Sequence, residues 1–177
     1  MNDGRHLVLV GLMGVGKTAV GEECAKRLSR PLVDTDELVV AAVGRPISEI
    51  FASEGERAFR SYEQQAVSDA CASPEPLVIA CGGGAVLDAT NRRRLRAGGC
   101  VMWLEASPAL LASRVEEQGT ERPLLAEGPD KVAALERLAV ARAAAYEAAA
   151  HVRIPTEQRS IAEVADAVLE ELARCAA

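Results

Sequence analysis

Short apolar runs alternate with longer stretches of helical spacing along this chain. His6–Val10 is an apolar run that ends at a glycine, which predicts a buried strand, and Lys17–Leu28 behind it predicts a helix. Further runs at 31–34, 77–80, 101–104 and 151–154 predict four more strands. Between them, helices are predicted over 36–43, 47–52, 56–72, 89–96, 108–117 and 131–149. In the last helix Ile161, Val164, Ala165, Val168, Leu169 and Leu172 share one face, and Ser160 with Glu163 forms a capping box at its start. Ser107 followed by Pro108 is a second helix-start signal. Short β-branched strands alternating with helices predict an α/β fold, a parallel sheet covered by helices on both faces. The stretch 117–130 carries two glycines and two prolines with little periodicity, as active-site lids often do.

Composition narrows the class. The chain has 177 residues, 49% of them hydrophobic, enough for one folded domain over 1–177. Its 20 basic and 26 acidic residues leave a net charge of −6, and the basic side is seventeen Arg against three Lys. Only five residues are aromatic, so neither the basic face nor the stacking platforms of a nucleic-acid binder are present. The five cysteines (24, 71, 81, 100 and 175) show no metal-ligand spacing, which argues against a disulfide framework or a zinc site and for a reducing cytosol. No apolar run approaches the roughly 18 residues of a membrane span, and the N-terminus lacks a signal-peptide pattern. A cytoplasmic protein without membrane partners is expected.

The chemistry begins at 11–18, GLMGVGKT, a full match to G-x-x-x-x-G-K-[ST] between a predicted strand and a predicted helix. Glycines let backbone N–H groups turn inward around phosphates, and the helix start adds its positive dipole end. Gly14, Val15, Gly16, Lys17, Thr18 and Ala19 are therefore the expected ATP phosphate site, with Lys17 on the β- and γ-phosphates and Thr18 on Mg²⁺. A second Mg²⁺ contact usually comes from an Asp ending a later strand. The third strand here runs instead into Cys81 and three glycines. The acids end the second strand, as Asp34-Thr35-Asp36, on the sheet edge that also holds the phosphate loop. One is expected to face Mg²⁺ and the other an acceptor hydroxyl, although Asp36 could also cap the following helix. The basic run 91–96, NRRRLR, reads as a solvated helix face, with an anion or partner patch as the alternative.

Beyond these motifs, ISEIFASEGERAFR with Glu63, then CGGGAV, RPLL and Arg142 four residues before Tyr146 follow in order. The ordered set resembles the shikimate kinase family over nearly the whole chain. The resemblance implies a three-layer P-loop fold with five parallel strands in the order 2-3-1-4-5, a substrate-binding insertion at about 36–62 and a lid at about 117–130. It implies a monomer that phosphorylates the 3-hydroxyl of shikimate with ATP and Mg²⁺, releasing ADP. Asp34 would lie near Mg²⁺, and Asp36 on the shikimate hydroxyls as the catalytic acid–base group. Arg60 and Arg142 would hold the carboxylate while Gly82, Gly83 and Gly84 pack against the ring. Lys17 and Arg122 would act on the transferring phosphate, and Arg114 and Arg159 would flank adenine. One departure is Ala144-Ala145-Tyr146, where the family has Pro-Leu-Tyr. The rivals are a P-loop kinase of another polyhydroxy acid such as gluconate, and a nucleotide-dependent switch, for which the N-K-x-D guanine motif is missing.

Overall fold

The computed structural model describes residues 5–118 and 130–175. Its elements run β1 (His6–Val10), α1 (Lys17–Leu28), β2 (Leu32–Asp34), α2 (Thr35–Val43), α3 (Ile47–Cys71), β3 (Val78–Ala80), a 3₁₀ turn (Ala85–Leu87), α4 (Ala89–Gly98), β4 (Gly99–Glu105), α5 (Pro108–Gln118), α6 (Lys131–Ala149), β5 (Val152–Pro155) and α7 (Ile161–Cys175). The five strands form one parallel sheet in the order β2-β3-β1-β4-β5. The central strand β1 is buried at all five positions, as expected of a strand covered on both faces. Parallel pairing puts the carboxyl ends of β1, β2 and β3 on one edge, and the phosphate loop, Asp34 and the triple glycine all emerge there.

Most predicted boundaries hold within two residues, and two departures are physical. The two helices predicted either side of 53–55 form one element, α3, bent at Gly55 (φ 80°, ψ 173°), a left-handed position that breaks the helix without ending it. On α7, Val164, Ala165, Val168 and Leu172 are buried, but Ile161, in the first turn, is 51% exposed. The Ser160–Glu163 capping box forms: Ser160 N–H donates to Glu163 Oε2 at 2.8 Å and Glu163 N–H to Ser160 Oγ at 3.3 Å.

The cysteine expectation is corrected. Cys100 of β4 and Cys175 of α7 form a disulfide across 75 residues, with Cα atoms 6.3 Å apart. No spacing rule could find it, because the partners meet only once α7 packs on the sheet. Cys24, Cys71 and Cys81 are free. Alkylation in denaturant without reductant should label three thiols rather than five. Reduction should lower stability by about 2–4 kcal/mol, read as a fall in Tm; labelling of all five contradicts the pairing.

Both histidines extend the sheet's ladders with a ring nitrogen. Leu77 N–H donates to His6 Nδ1 and Val101 N–H donates to His151 Nδ1, each at 3.0 Å. Both rings must therefore leave Nδ1 unprotonated. Partial desolvation of the largely exposed ring, then the positive charges of Arg96 and Arg5, hold His151 below its ordinary 6.5. Above that value neither folded nor unfolded chain is protonated there. As pH falls through it, the unfolded chain takes up a proton that the folded one resists, and stability is lost. Tm should fall more steeply from about pH 7 to about pH 5 in the wild type than in His151→Asn, which accepts the same bond without titrating; parallel profiles would contradict this.

Candidate active site

The phosphate loop is shaped by its own backbone. Gly14 sits at φ 79° with Val115 and Leu111 directly behind it, so a side chain there meets both strain and a wall. Lys17 Nζ donates to Gly11 O at 2.9 Å and Leu12 O at 3.0 Å, bridging the loop's carbonyls. Among the described residues no side chain caps the start of α1, so its first N–H groups face the loop's interior.

The acids divide differently from one expectation. Asp34, not Asp36, caps α2: its Oδ1 accepts Asp36 N–H at 2.9 Å. The other oxygen of Asp34 accepts the Thr18 hydroxyl at 3.2 Å. Asp36 lies in the first turn of α2 and faces the triple glycine, where a Cβ on Gly82 would collide with Asp36 Oδ1 and lie 3.0 Å from Glu63 Oε1. Thr35 is fully buried, and its hydroxyl accepts Gly82 N–H at 2.8 Å, so both residues meet the glycine turn.

Arg60 projects from α3 into the same space. Its Nη1 donates to Glu63 Oε2 at 2.8 Å and its Nη2 to Glu56 at 2.9 Å, while a Cβ on Gly84 would collide with its guanidinium. Arg142 of α6 is buried, and its Nη1 donates to Gly83 O at 2.9 Å. Tyr146, one turn on, donates its hydroxyl to the same carbonyl at 2.6 Å. Burial pushes the Tyr146 phenol up to about 12, against the opposing Arg142 charge, so the proton stays in that bond. Alanines in place of the family's Pro-Leu leave this pair seated on the glycine turn.

One cleft of about 910 Å³ runs from the phosphate loop past Asp34 and Asp36 to Arg60, Glu63, Arg142 and the triple glycine. Phe51 and Phe59 wall its outer end with ring centroids 4.8 Å apart. Cys81 lines the cleft too, but burial holds its thiol well above the ordinary range, so it stays protonated.

Arg114 reaches the outer side of the loop, donating to Val15 O at 3.4 Å. Arg159 is exposed on the segment before α7 and is not among the cleft's lining residues. Arg122 and nearly all of the expected lid lie outside the described residues.

Glu63 was not among the expected site residues, although the signal was there. Glu56, Arg60 and Glu63 fall at i, i+4 and i+7, one face of a helix, where one guanidinium bridges two carboxylates. Glu63 is 2% exposed with Oε1 lacking a hydrogen-bond partner among the described residues. Burial raises its carboxyl, the Arg60 charge and hydrogen bond oppose that, and the Asp36 charge adds to it.

The sequence profile of the shikimate kinases matches residues 13–173. The chain belongs to the shikimate kinase family. The shikimate kinase of Symbiobacterium thermophilum is 51% identical over 94% of this chain and 95% of its own length. The shikimate kinase of Acinetobacter baumannii, solved in complex with shikimate, superposes with a TM-score of 0.90 at 33% identity, covering 97% of this chain and 94% of its own. A gluconokinase from Sinorhizobium meliloti, at 24% identity and a TM-score of 0.68, shares the fold alone. Among the described residues, this member of the family gathers Asp34, Asp36, Arg60, Arg142 and the triple glycine in one cleft.

Proposed function

We propose that this protein transfers the γ-phosphoryl group of ATP to the 3-hydroxyl of shikimate, giving shikimate 3-phosphate and ADP. The observation that carries the reading is the continuity of the cleft. A phosphate-binding loop stands at one end, a half-buried Arg60 and a buried Arg142 on a side-chain-free glycine turn at the other, and Asp36 between them. A small carboxylate with ring hydroxyls suits that order: planar guanidinium forks match the carboxylate, and bare backbone admits the ring.

Thr18 and Asp34 offer two hard oxygen donors side by side at the phosphate end, a set that suits Mg²⁺, which takes few protein oxygens and keeps its waters. They would hold the ion, whose contribution is to neutralise charge on the β- and γ-phosphates. Lys17 binds the same phosphates as a point charge. Asp36 orients the acceptor hydroxyl and takes its proton as the oxygen attacks phosphorus and the bond to the β-phosphate oxygen breaks. Arg122 is the proposed cation on the moving phosphoryl group, on the strength of its place in RPLL alone. Arg114, against the loop, is the better candidate of the two arginines proposed for adenine.

Phosphorus NMR of a mixture of protein, ATP, Mg²⁺ and shikimate should develop a phosphomonoester resonance coupled to the proton on C3. A resonance coupled to another ring proton contradicts the position, and no new ester contradicts the reaction.

A further inference from the structure

The arginine run on α4 is more than the solvated face that its composition suggests: Arg93 and Arg96 are exposed, yet Arg92 and Arg96 also bond to neighbouring elements. Arg93 fits that description: it is exposed and reaches only Thr90, one turn back. Arg92 and Arg96 are four residues apart, so they lie on one side of the helix, and each reaches a different neighbouring element. Arg92 Nη1 donates to Val86 O at 2.7 Å and Leu87 O at 2.9 Å. Just before it, Asn91 Nδ2 donates to Ala85 O at 3.0 Å. The three carbonyls of the 3₁₀ turn, which the turn itself cannot satisfy, are thus all taken by the start of α4. Arg96 Nη1 donates to Ala149 O at 3.2 Å and Ala150 O at 2.7 Å, at the carboxyl end of α6.

Those two elements carry the proposed carboxylate site. The 3₁₀ turn continues directly from the triple glycine, and α6 bears Arg142 and Tyr146. They already meet at Gly83 O, which accepts from both side chains. The hydrogen bonds therefore close a ring: α4 to the turn, the turn to Gly83, Gly83 to α6, and α6 back to α4.

We propose that Arg92 and Arg96 are positioning residues for the acceptor: from α4 they fix the spacing between the glycine turn and the Arg142 guanidinium, and so the seat of the substrate's carboxylate. Neither touches the cleft. The phosphate loop makes none of these hydrogen bonds; its backbone at Gly11 and Met13 lies beside Gly83, but the loop is held by β1 and α1, so the effect is expected to fall on the acceptor site first. The inference rests on the reading that Arg142 and the triple glycine bind shikimate.

The test is steady-state kinetics on Arg92→Ala, Arg92→Lys, Arg96→Ala and the exposed control Arg93→Ala, with both substrates varied. Losing the clamp should raise the KM for shikimate on the order of 10-fold, since a displacement of about an ångström in a positioned group is costly. The KM for ATP should stay within about 2-fold in all four variants, because the loop takes no part in the ring's hydrogen bonds. Arg92→Lys should fall between wild type and alanine, and Arg93→Ala should match wild type. In an Arg142→Ala background, Arg92→Ala should add little to the shikimate KM, because the group it positions is gone. An unchanged shikimate KM overturns the proposal, as does an equal rise for ATP or full additivity with Arg142→Ala. Should Arg92→Ala not fold, Arg92→Lys and Arg96→Ala carry the same test with the same outcomes. Wild type that does not turn over shikimate would instead defeat the functional reading.

Discussion

Asp36→Asn is expected to lower turnover by about 10²–10⁴-fold while leaving the KM for ATP near its wild-type value. The substitution keeps the size of the side chain and removes its charge and basicity. The backbone at position 36 stays in place, because its N–H is held by the Asp34 carboxylate rather than by its own side chain. Stability should not fall, since the Asp36 charge works against ionisation of the buried Glu63 close by. A variant with unchanged Tm and collapsed kcat separates chemistry from folding. Unchanged kcat would reduce Asp36 to a structural residue of α2.

Arg142→Ala should weaken shikimate binding by about 3 kcal/mol, on the order of 10²-fold, for the charge-assisted hydrogen bonds of one guanidinium to a carboxylate. Titration calorimetry with shikimate and, separately, with ATP reads the two sites independently, and ATP affinity should hold. The glycine turn keeps a partner in this variant, because Tyr146 still donates to Gly83 O. Arg60→Ala should also weaken shikimate binding but is a less clean probe. It strips Glu63 of its ion-pair partner in a nearly closed site, leaving only the more distant Arg142 charge, and a buried carboxylate without its paired cation destabilises the fold. Equal loss of ATP and shikimate affinity in Arg142→Ala would contradict the division of the cleft.

What the amino-acid sequence made legible follows the range of the forces involved. The phosphate loop is a local device, eight consecutive residues whose backbone does the binding, and it was readable outright. The alternation of buried strands and amphipathic helices was equally plain, because each element signals its own burial. The strand order came from resemblance rather than periodicity, since no local pattern states which strands are neighbours. The Cys100–Cys175 disulfide and the reach of Arg92 and Arg96 were hidden for the same reason: their partners lie on other elements. Glu63 stands between these cases. Its helical spacing from Arg60 is written in the sequence, but its burial beside Asp36 appears only when α3 packs against α2.

The local charge of the cleft explains how an acidic chain can serve two anionic substrates. Of its three lysines, one sits in the phosphate loop as a compact point charge, and of its seventeen arginines at least two converge where a carboxylate is to be held. The central claim is that this convergence selects shikimate. ADP release with ATP, Mg²⁺ and, in turn, shikimate, quinate and gluconate at equal concentration tests it most directly. Release should depend on shikimate and stay near background with the other two; equal stimulation by gluconate, or none by shikimate, would contradict the account.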